Sequence, residues 1–483
     1  MRKFARRFLF LLAGLAVTGG ILFAFGLRIV FDGGGGIHLA FTKSAKQQAA
    51  EIEQHRAAQR AQAPAAAAVQ PAPAAAAPVA PPAAAKPPTT AARASTHWTN
   101  FRGPDRDGHY RQQRVRTDWG SALQPLWKQP VGGGYASFVI AEGRAFTLEQ
   151  RGDRELAAAY DVDTGRELWT SAWDARFEGS PGGGGPRATP TWDDGRVYVV
   201  GATGEFRAID AATGRLLWRT NILADAGATN VDHGTSASPL VVDDTVVVLP
   251  GGNNGQSVVA YDRQTGKRVW SALNDRAAYS SPMLATLAGV RQILAHTETR
   301  LVGLSPENGT LLWEFPWRTP NASAQPLITA PDRVFISAET DAAMLHIAAG
   351  ANGQLMAQEL WRTTRMNNKF TSPVLHDGFI YGLDESILAC IDASTGDLKW
   401  KGGRYGYGQV LLASGHLIVL TEDGELALVR ADPNSHQEIA RFPAIEGKTW
   451  NHPAMSDGIL LIRNIEEMAA FDLRTAATGS AGQ

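Results

Sequence analysis

From about residue 135 onward the chain alternates short apolar runs with tight polar breaks. Segments such as SPLVVDDTVVVL (238–249), SPMLATLAGVRQILA (281–295) and SPVLHDGFIYGL (372–383) each pair two apolar runs across an Asp-Asp, Ala-Gly or Asp-Gly break. Period-two patterns bounded by such breaks predict antiparallel β-strands joined by tight turns. The N-terminus reads differently. After Arg2, Lys3, Arg6 and Arg7, an uncharged apolar stretch of 20 residues runs from Phe8 to Leu27. At ~1.5 Å per residue, a helix of this length spans the ~30 Å of a bilayer core. The apolar run resumes after Arg28 with Ile29-Val30-Phe31 and no small-x-small cleavage site follows. The stretch is therefore expected to be a retained transmembrane helix rather than a cleaved signal peptide. Basic residues before the span place the N-terminus in the cytoplasm and the rest of the chain outside it.

The strand-rich part carries an internal repeat. AYDVDTGRELW ends at Trp169, AIDAATGRLLW at Trp218, AYDRQTGKRVW at Trp270, GLSPENGTLLW at Trp313 and CIDASTGDLKW at Trp400. Weaker copies end at Trp361 and Phe442, and an isolated strand, PLWKQPV, carries Trp127. These positions are spaced by 42, 49, 52, 43, 48, 39 and 42 residues. Eight units of about 45 residues predict eight propeller blades of four strands each. In D-x-x-T-G, the Asp and Thr side chains can satisfy free N–H groups of a turn and the Gly can take a positive φ. The Trp four residues later falls on the next strand, placed to fill the gap between blades. The last unit supplies three strands, ending near Ala470-Phe471-Asp472, whereas the Trp127 strand precedes any blade. Donating that strand to the last blade would close the ring and remove its open edges.

The expected organisation is a membrane anchor at 1–32, a polar helix and Ala/Pro-rich linker at 33–97, an all-β eight-bladed propeller at 98–474 and a disordered tail at 475–483. Residues 45–62 read as the polar helix. Residues 63–88 hold 14 Ala and 8 Pro; such a segment cannot bury a core and at ~3.1 Å per residue would act as a spacer of up to about 80 Å between membrane and propeller.

Composition narrows the chemistry. The 46 basic and 47 acidic residues give a net charge of −1, which argues against nucleic acid as a partner. Cys390 is the single cysteine, so a disulfide framework, a cysteine zinc site, a c-type haem motif and a lipid-modified cysteine beside the span are all excluded. Asp161-Val-Asp163-Thr-Gly165 lacks the later ligands of a calcium loop and reads as a blade turn. Glycines 182–185 have no Gly-Lys-Ser/Thr after them and read as a flexible loop. The 11 histidines show no metal-binding spacing, and no metal site is expected.

The A-x-D-x-x-T-G-x-x-x-W repeat resembles the tryptophan-docking motif of PQQ-like β-propeller repeat proteins, the quinoprotein alcohol dehydrogenase-like superfamily. The lead-in WTNFRGPDRDGHY (98–110) and GGGGPRATPTWDDGRVYVVGATG (182–204) resemble the bacterial subgroup with an FRGP entry sequence. The resemblance implies the fold for nearly the whole propeller, but the superfamily holds both enzymes and binding proteins. Enzymes of the alcohol dehydrogenase type place PQQ between a Trp and a vicinal Cys-Cys disulfide, with calcium and an Asp base. A chain with one cysteine departs from that pattern, and Cys390 occupies the slot filled by Ala159, Ala208 and Ala260 in sister repeats.

Aligning the innermost strands on Ser137, Thr189, Ser238, Ser281, Gln325, Ser372, Gln409 and His452 places Tyr135, Arg187, Ser236, Tyr279, Ser323, Phe370, Tyr407 and Trp450 two residues earlier. Innermost strands surround the axis, so these eight should ring one mouth of the central channel. Five are aromatic, against 8% of the chain, and Arg187 and Lys369 add positive charge. They form either a packed plug or a pocket for a flat ligand or peptide segment. Trp127, Trp169, Trp218, Trp270, Trp313, Trp361 and Trp400 are expected to be structural, and no catalytic or cofactor-binding residue is assigned.

The function expected is that of a non-catalytic binding or scaffold module outside the cytoplasm, resembling the BamB-type branch and engaged in envelope protein assembly. Its partners would be envelope proteins and, through the N-terminal helix, the membrane, with a monomeric propeller and no cofactor. The alternatives are a divergent PQQ-dependent alcohol or sugar dehydrogenase and a small-ligand sensor.

Overall fold

The computed structural model describes residues 18–62, except 21 and 25, and residues 97–475, except 121, 180, 181, 320 and 351–353. Eight antiparallel sheets follow one another around a ring, seven of four strands and one of five. The blades occupy residues 139–174, 191–221, 240–272, 283–316, 327–363, 374–404, 409–443 and 454–472. The fifth strand of the seventh sheet is a short parallel addition, labelled here β3 (His109–Tyr110), against Leu412 and Ala413.

The core is a circle of layers, one between each pair of blades. Val247 packs with Ile293 and Val302 of the next blade, while its neighbours Val246 and Val248 pack with Tyr198 and Val200 of the previous one. Successive side chains of a strand point to opposite faces. A blade covered on both faces therefore needs continuous apolar runs, which is why its middle strands read TVVV and ILLIR rather than as a clean alternation.

The repeat motif is used at two ends. In its turn, Asp161, Asp210 and Asp262 each accept the backbone N–H of the Thr three residues on, at 2.9, 2.9 and 2.7 Å. The Thr213 and Thr265 hydroxyls donate to the same carboxylates at 2.7 Å and, with the backbone bonds second to them, hold the Asp210 and Asp262 carboxyls below their ordinary range. At the other end, the Trp side chain reaches the following blade. Its indole N–H donates to Val162 from Trp127 (2.8 Å), Ala211 from Trp169 (3.0 Å), Arg263 from Trp218 (3.1 Å), Pro306 from Trp270 (3.1 Å) and Asp432 from Trp400 (2.8 Å). Trp313 bonds instead to Gln292 of its own blade, and the Trp361 N–H is buried without a partner. Ala159, Ala208, Ala260 and Cys390 each lie opposite the Trp of the neighbouring strand, so the cysteine fills a slot kept small for an indole.

The ring closes as the strand count requires. Strand β4 (Pro125–Pro130) pairs antiparallel with Glu467–Asp472, with Trp127 opposite Ala470. The last blade is thus built from both ends of the propeller.

The N-terminal region differs from expectation. Most of the expected span Phe8–Leu27 lies outside the described residues; among the described residues, no helix is long and apolar enough to cross a membrane. Residues straddling the expected boundary at 32/33 form a hairpin of β1 (Leu27–Phe31) and β2 (Ile37–Phe41), with Phe31 opposite Ile37. Ile29-Val30-Phe31, which reads as a continuation of the span, is strand because Asp-Gly-Gly-Gly-Gly turns the chain back immediately after it. The expected polar helix is present as α1 (Ala45–Gln62), but it is docked on the propeller. Arg56 is buried there and donates to Gln129 Oε1 (2.8 Å) and the Pro130 carbonyl (2.9 Å). The guanidinium also lies over the Tyr160 ring at 5.1 Å. The Ala/Pro segment expected to act as a spacer lies outside the described residues. The tail beyond residue 475 also lies outside the described residues.

Candidate functional site

The aligned innermost positions form a hydrogen-bonded belt around the axis. Ser137 N–H donates to Thr189 Oγ1, Thr189 N–H to Ser238 Oγ and Ser238 N–H to Ser281 Oγ, each at 2.9 Å. Gln325 N–H donates to Ser372 Oγ at 3.0 Å, Gln409 Nε2 to the Trp450 carbonyl at 2.9 Å, and Ser137 Oγ to the His452 carbonyl at 2.6 Å. Small hydroxyl residues recur here because Thr189, Ser238, Ser281 and Ser372 each satisfy a strand-end amide of the preceding blade, which faces the axis rather than a sheet partner.

One end of the channel is sealed by the FRGP lead-in. Arg102 donates to the Pro373 carbonyl at 2.7 Å, and Arg106 to the Pro282 carbonyl at 2.8 Å and to that of Pro239. Both are buried with positive φ, 63° and 57°, a conformation sustained only where the surroundings over-determine it. Burial alone lowers the Arg106 guanidinium to about 9 and is the main cause that lowers Arg102 to about 10. Phe101 packs edge-on against His452, ring centroids 4.8 Å apart, and forms the floor of the space above. Sequence reading took this segment only as a mark of resemblance. Its paired arginines within five residues of a Gly-Pro turn were the available signal.

At the other end the predicted ring assembles around a cavity of about 360 Å³. Phe370 lies 4.6 Å from Trp450 and 5.5 Å from Tyr407 between ring centroids, and Tyr135 lies 5.3 Å from Trp450. The Arg187 guanidinium sits 5.3 Å from the Tyr135 ring, and Lys369 Nζ 5.7 Å from Tyr407. Tyr279 faces His233 across 5.4 Å, and Ser236 and Ser323 complete the lining. Tyr407 belongs to the same aromatic row but is covered by the hairpin tip at Gly33. The glycines 182–185 are not a free loop. Gly183–Gly184 pairs with Glu178–Gly179, and the Gly183 and Gly185 carbonyls accept from Arg187 at 3.0 and 3.2 Å.

Four contributors escaped the sequence reading. Lys448 lies 4.0 Å over the Trp450 ring, and burial lowers its amine to about 8. Glu422, buried, accepts from Trp450 Nε1 (2.8 Å) and Tyr407 N–H (3.1 Å). The third is His233, whose imidazole burial and then Arg187 both push down. The fourth is the hairpin, whose Phe31, Asp32, Gly33 and Gly35 line the cavity. Lys448 and Glu422 stand on loops between strands, where no repeat position flags them.

This arrangement offers aromatic faces, serine and tyrosine hydroxyls and the cations Arg187, Lys369 and Lys448, which suits holding a ligand. The carboxylates are engaged, Glu339 with Lys369 at 3.9 Å and Glu422 with N–H donors. The quinone sandwich implied by the resemblance does not fit. Cys390, the single thiol, is buried opposite Trp400 within a blade, and the Trp450 ring is already covered by Lys448 and Phe370.

Fold and repeat together define a tryptophan-docked propeller of the PQQ-like superfamily. The family model described as outer membrane protein assembly factor BamB matches residues 152–402, more than half the chain, and the chain belongs to that family. BamB of Yersinia pestis is 22% identical over 282 residues, spanning 54% of this chain and 68% of the relative. The quinohemoprotein alcohol dehydrogenase ADH-IIG of Pseudomonas putida is 30% identical over 146 residues, which cover 28% of this chain and 19% of that enzyme. Among solved structures, BamB of Moraxella catarrhalis shares the fold, with a TM-score of 0.53 and 14% identity over 73% of this chain and 100% of that one.

Proposed function

We propose that the protein is a non-catalytic binding propeller of the cell envelope that serves outer-membrane protein assembly. It would be held by Phe8–Leu27 as a single-pass anchor, with the N-terminus cytoplasmic and the propeller periplasmic. The observation that carries this reading is the extent of the likeness. Similarity to the BamB relatives runs across most of the blades, whereas similarity to the alcohol dehydrogenase is confined to a fragment. The mouth supports it, because aromatic faces give contact area at low entropic cost and cations orient acidic or carbonyl groups.

The experiment is photo-crosslinking in cells from an unnatural residue at position 279, followed by mass spectrometry of captured proteins. Envelope proteins captured at the mouth support the reading; cytosolic proteins, or none, overturn it. Carbonate-resistant membrane association and protease sensitivity from the outer side alone test the anchor; a soluble mature form beginning near residue 35 overturns it. The same purified protein tests the dehydrogenase alternative, which local similarity to ADH-IIG favours. Bound PQQ by absorbance and mass spectrometry, with dye-linked alcohol oxidation, would replace the scaffold reading with an enzymatic one.

A further inference from the structure

We infer that the channel mouth is a receptor for glycine-bearing β-hairpin tips, and that the β1–β2 turn is a resident occupant which a partner's hairpin displaces. The inference rests on the binding-module reading and specifies its partner: a polypeptide β-hairpin with a glycine at the place Gly33 takes.

Gly33 is buried at the mouth, and its backbone N–H donates to Glu422 Oε1 at 2.7 Å. The same carboxylate holds Trp450 and Tyr407, so one side chain connects the aromatic row to the tip. A Cβ at position 33 would stand 2.3 Å from the Tyr407 ring, far inside contact distance. The mouth therefore reads glycine by exclusion. The other glycines serve the turn itself: Gly35 has φ +82°, and a Cβ at Gly36 would meet the Asp32 carboxylate at 2.4 Å. Asp32 closes the turn by accepting the Gly36 N–H at 2.6 Å.

What the propeller does not read is equally informative. Beyond the tip the hairpin presents its large apolar side chains to solvent, with Ile29 62%, Ile37 69%, Leu39 66% and Phe41 66% exposed. A two-stranded hairpin without a covered face is marginally stable on its own, so little burial holds this one in place. A site that grips the turn and ignores the strands accepts hairpins of many sequences. Below the tip the cavity remains open, lined by Arg187, Ser236, Tyr279 and Lys369, with room for a partner's turn to enter more deeply than the resident one.

The test uses the full chain and a fluorescent synthetic peptide of residues 27–41, cyclised across its ends. The Gly33→Val chain, whose own tip no longer seats, should bind the peptide at least about tenfold more tightly than the wild-type chain, because an internal competitor has been removed. A Gly33→Val peptide should bind neither chain, and a Gly33→Ala peptide should bind a Tyr407→Ala chain in which the obstructing ring is gone. Hydrogen exchange at residues 33–36 should rise at least about tenfold in the Gly33→Val chain with the melting temperature unchanged, a readout that needs no peptide. Equal affinity of the two chains for the peptide, binding indifferent to Gly33, or no binding by either chain overturns the inference. If the peptide fails while envelope proteins still crosslink at position 279, the inference falls and the binding function stands; if the peptide binds and no envelope protein crosslinks, the hairpin receptor stands and the envelope-assembly role falls.

Discussion

Trp169 covers Gly214 of the following blade so closely that a Cβ there would sit 2.7 Å from the indole, while the indole N–H donates to the Ala211 carbonyl three residues upstream. The same relation links Trp127 with Gly165, Trp218 with Gly266 and Trp270 with Gly309, and Trp361 covers Gly396 as closely but without the hydrogen bond. The glycine of each repeat thus answers two demands, the positive φ of its own turn and the indole of the blade before.

Trp270→Ala should cost on the order of 3–5 kcal/mol, the usual loss for a large buried aromatic. Gly214→Ala should also destabilise, through strain at φ +75° and overlap with Trp169. Chemical denaturation with both variants checks this; a change below about 1 kcal/mol for Trp270→Ala would mean that the indole is not a docking element.

Removing residues 98–131 should be severe, because it strips the last blade of β4 and the channel of Arg102 and Arg106. The expected result is loss of a single cooperative melting transition. A truncated chain that melts at the wild-type temperature would show that the ring does not depend on strand donation.

Glu155 gives stability a pH signature. Burial raises its carboxyl to about 7, against weaker opposing hydrogen bonds from Ala202 N–H and Trp173 Nε1, both 3.2 Å, with Glu205 adding repulsion. Its folded pKa lies above the unfolded value, so the folded state binds the extra proton between roughly pH 4.5 and 7. Its contribution is best at the acid end and is lost as pH rises through 7, by on the order of 3 kcal/mol. Glu155→Gln should flatten that part of the stability profile; an unchanged slope would assign it to other groups.

Arg187→Ala combined with Trp450→Ala should leave the melting temperature nearly intact and abolish capture in the crosslinking experiment. Both residues are only half-buried and line the cavity rather than the layers between blades. Retained capture with lowered stability would make the ring a packed plug and move recognition to a blade face.

Fold and ring closure were legible in the sequence because the repeat encodes them locally. Asp, Thr, Gly and Trp occupy fixed offsets, and the surplus strand at Trp127 matches the missing strand after Phe471. The residues around the cavity follow the same periodicity, because Thr189, Ser238, Ser281 and Ser372 each accept a strand-end amide of the preceding blade. Glu422 and Lys448 do not, because their positions depend on loops that differ from blade to blade. The hairpin at 27–41 was hidden for another reason: its apolar residues continue an apolar stretch, and a run of glycines was its one signature. The docking of α1 rests on buried Ile52 and on hydrogen bonds from buried Arg56 and half-buried Gln48, in a helix otherwise too polar to announce a buried face.

The pairing of β4 with Glu467–Asp472 also sets a schedule. During synthesis the strand carrying Trp127 emerges well before its partner, with seven blades between them in the chain. At 5–20 residues per second, the interval is on the order of tens of seconds. Throughout that time the nascent chain holds a strand with unmet hydrogen bonds and seven blades' worth of sticky surface. The final lock comes only once both strands have emerged, and until then the growing chain carries the exposed edges and apolar surface that make strand-rich chains prone to aggregate.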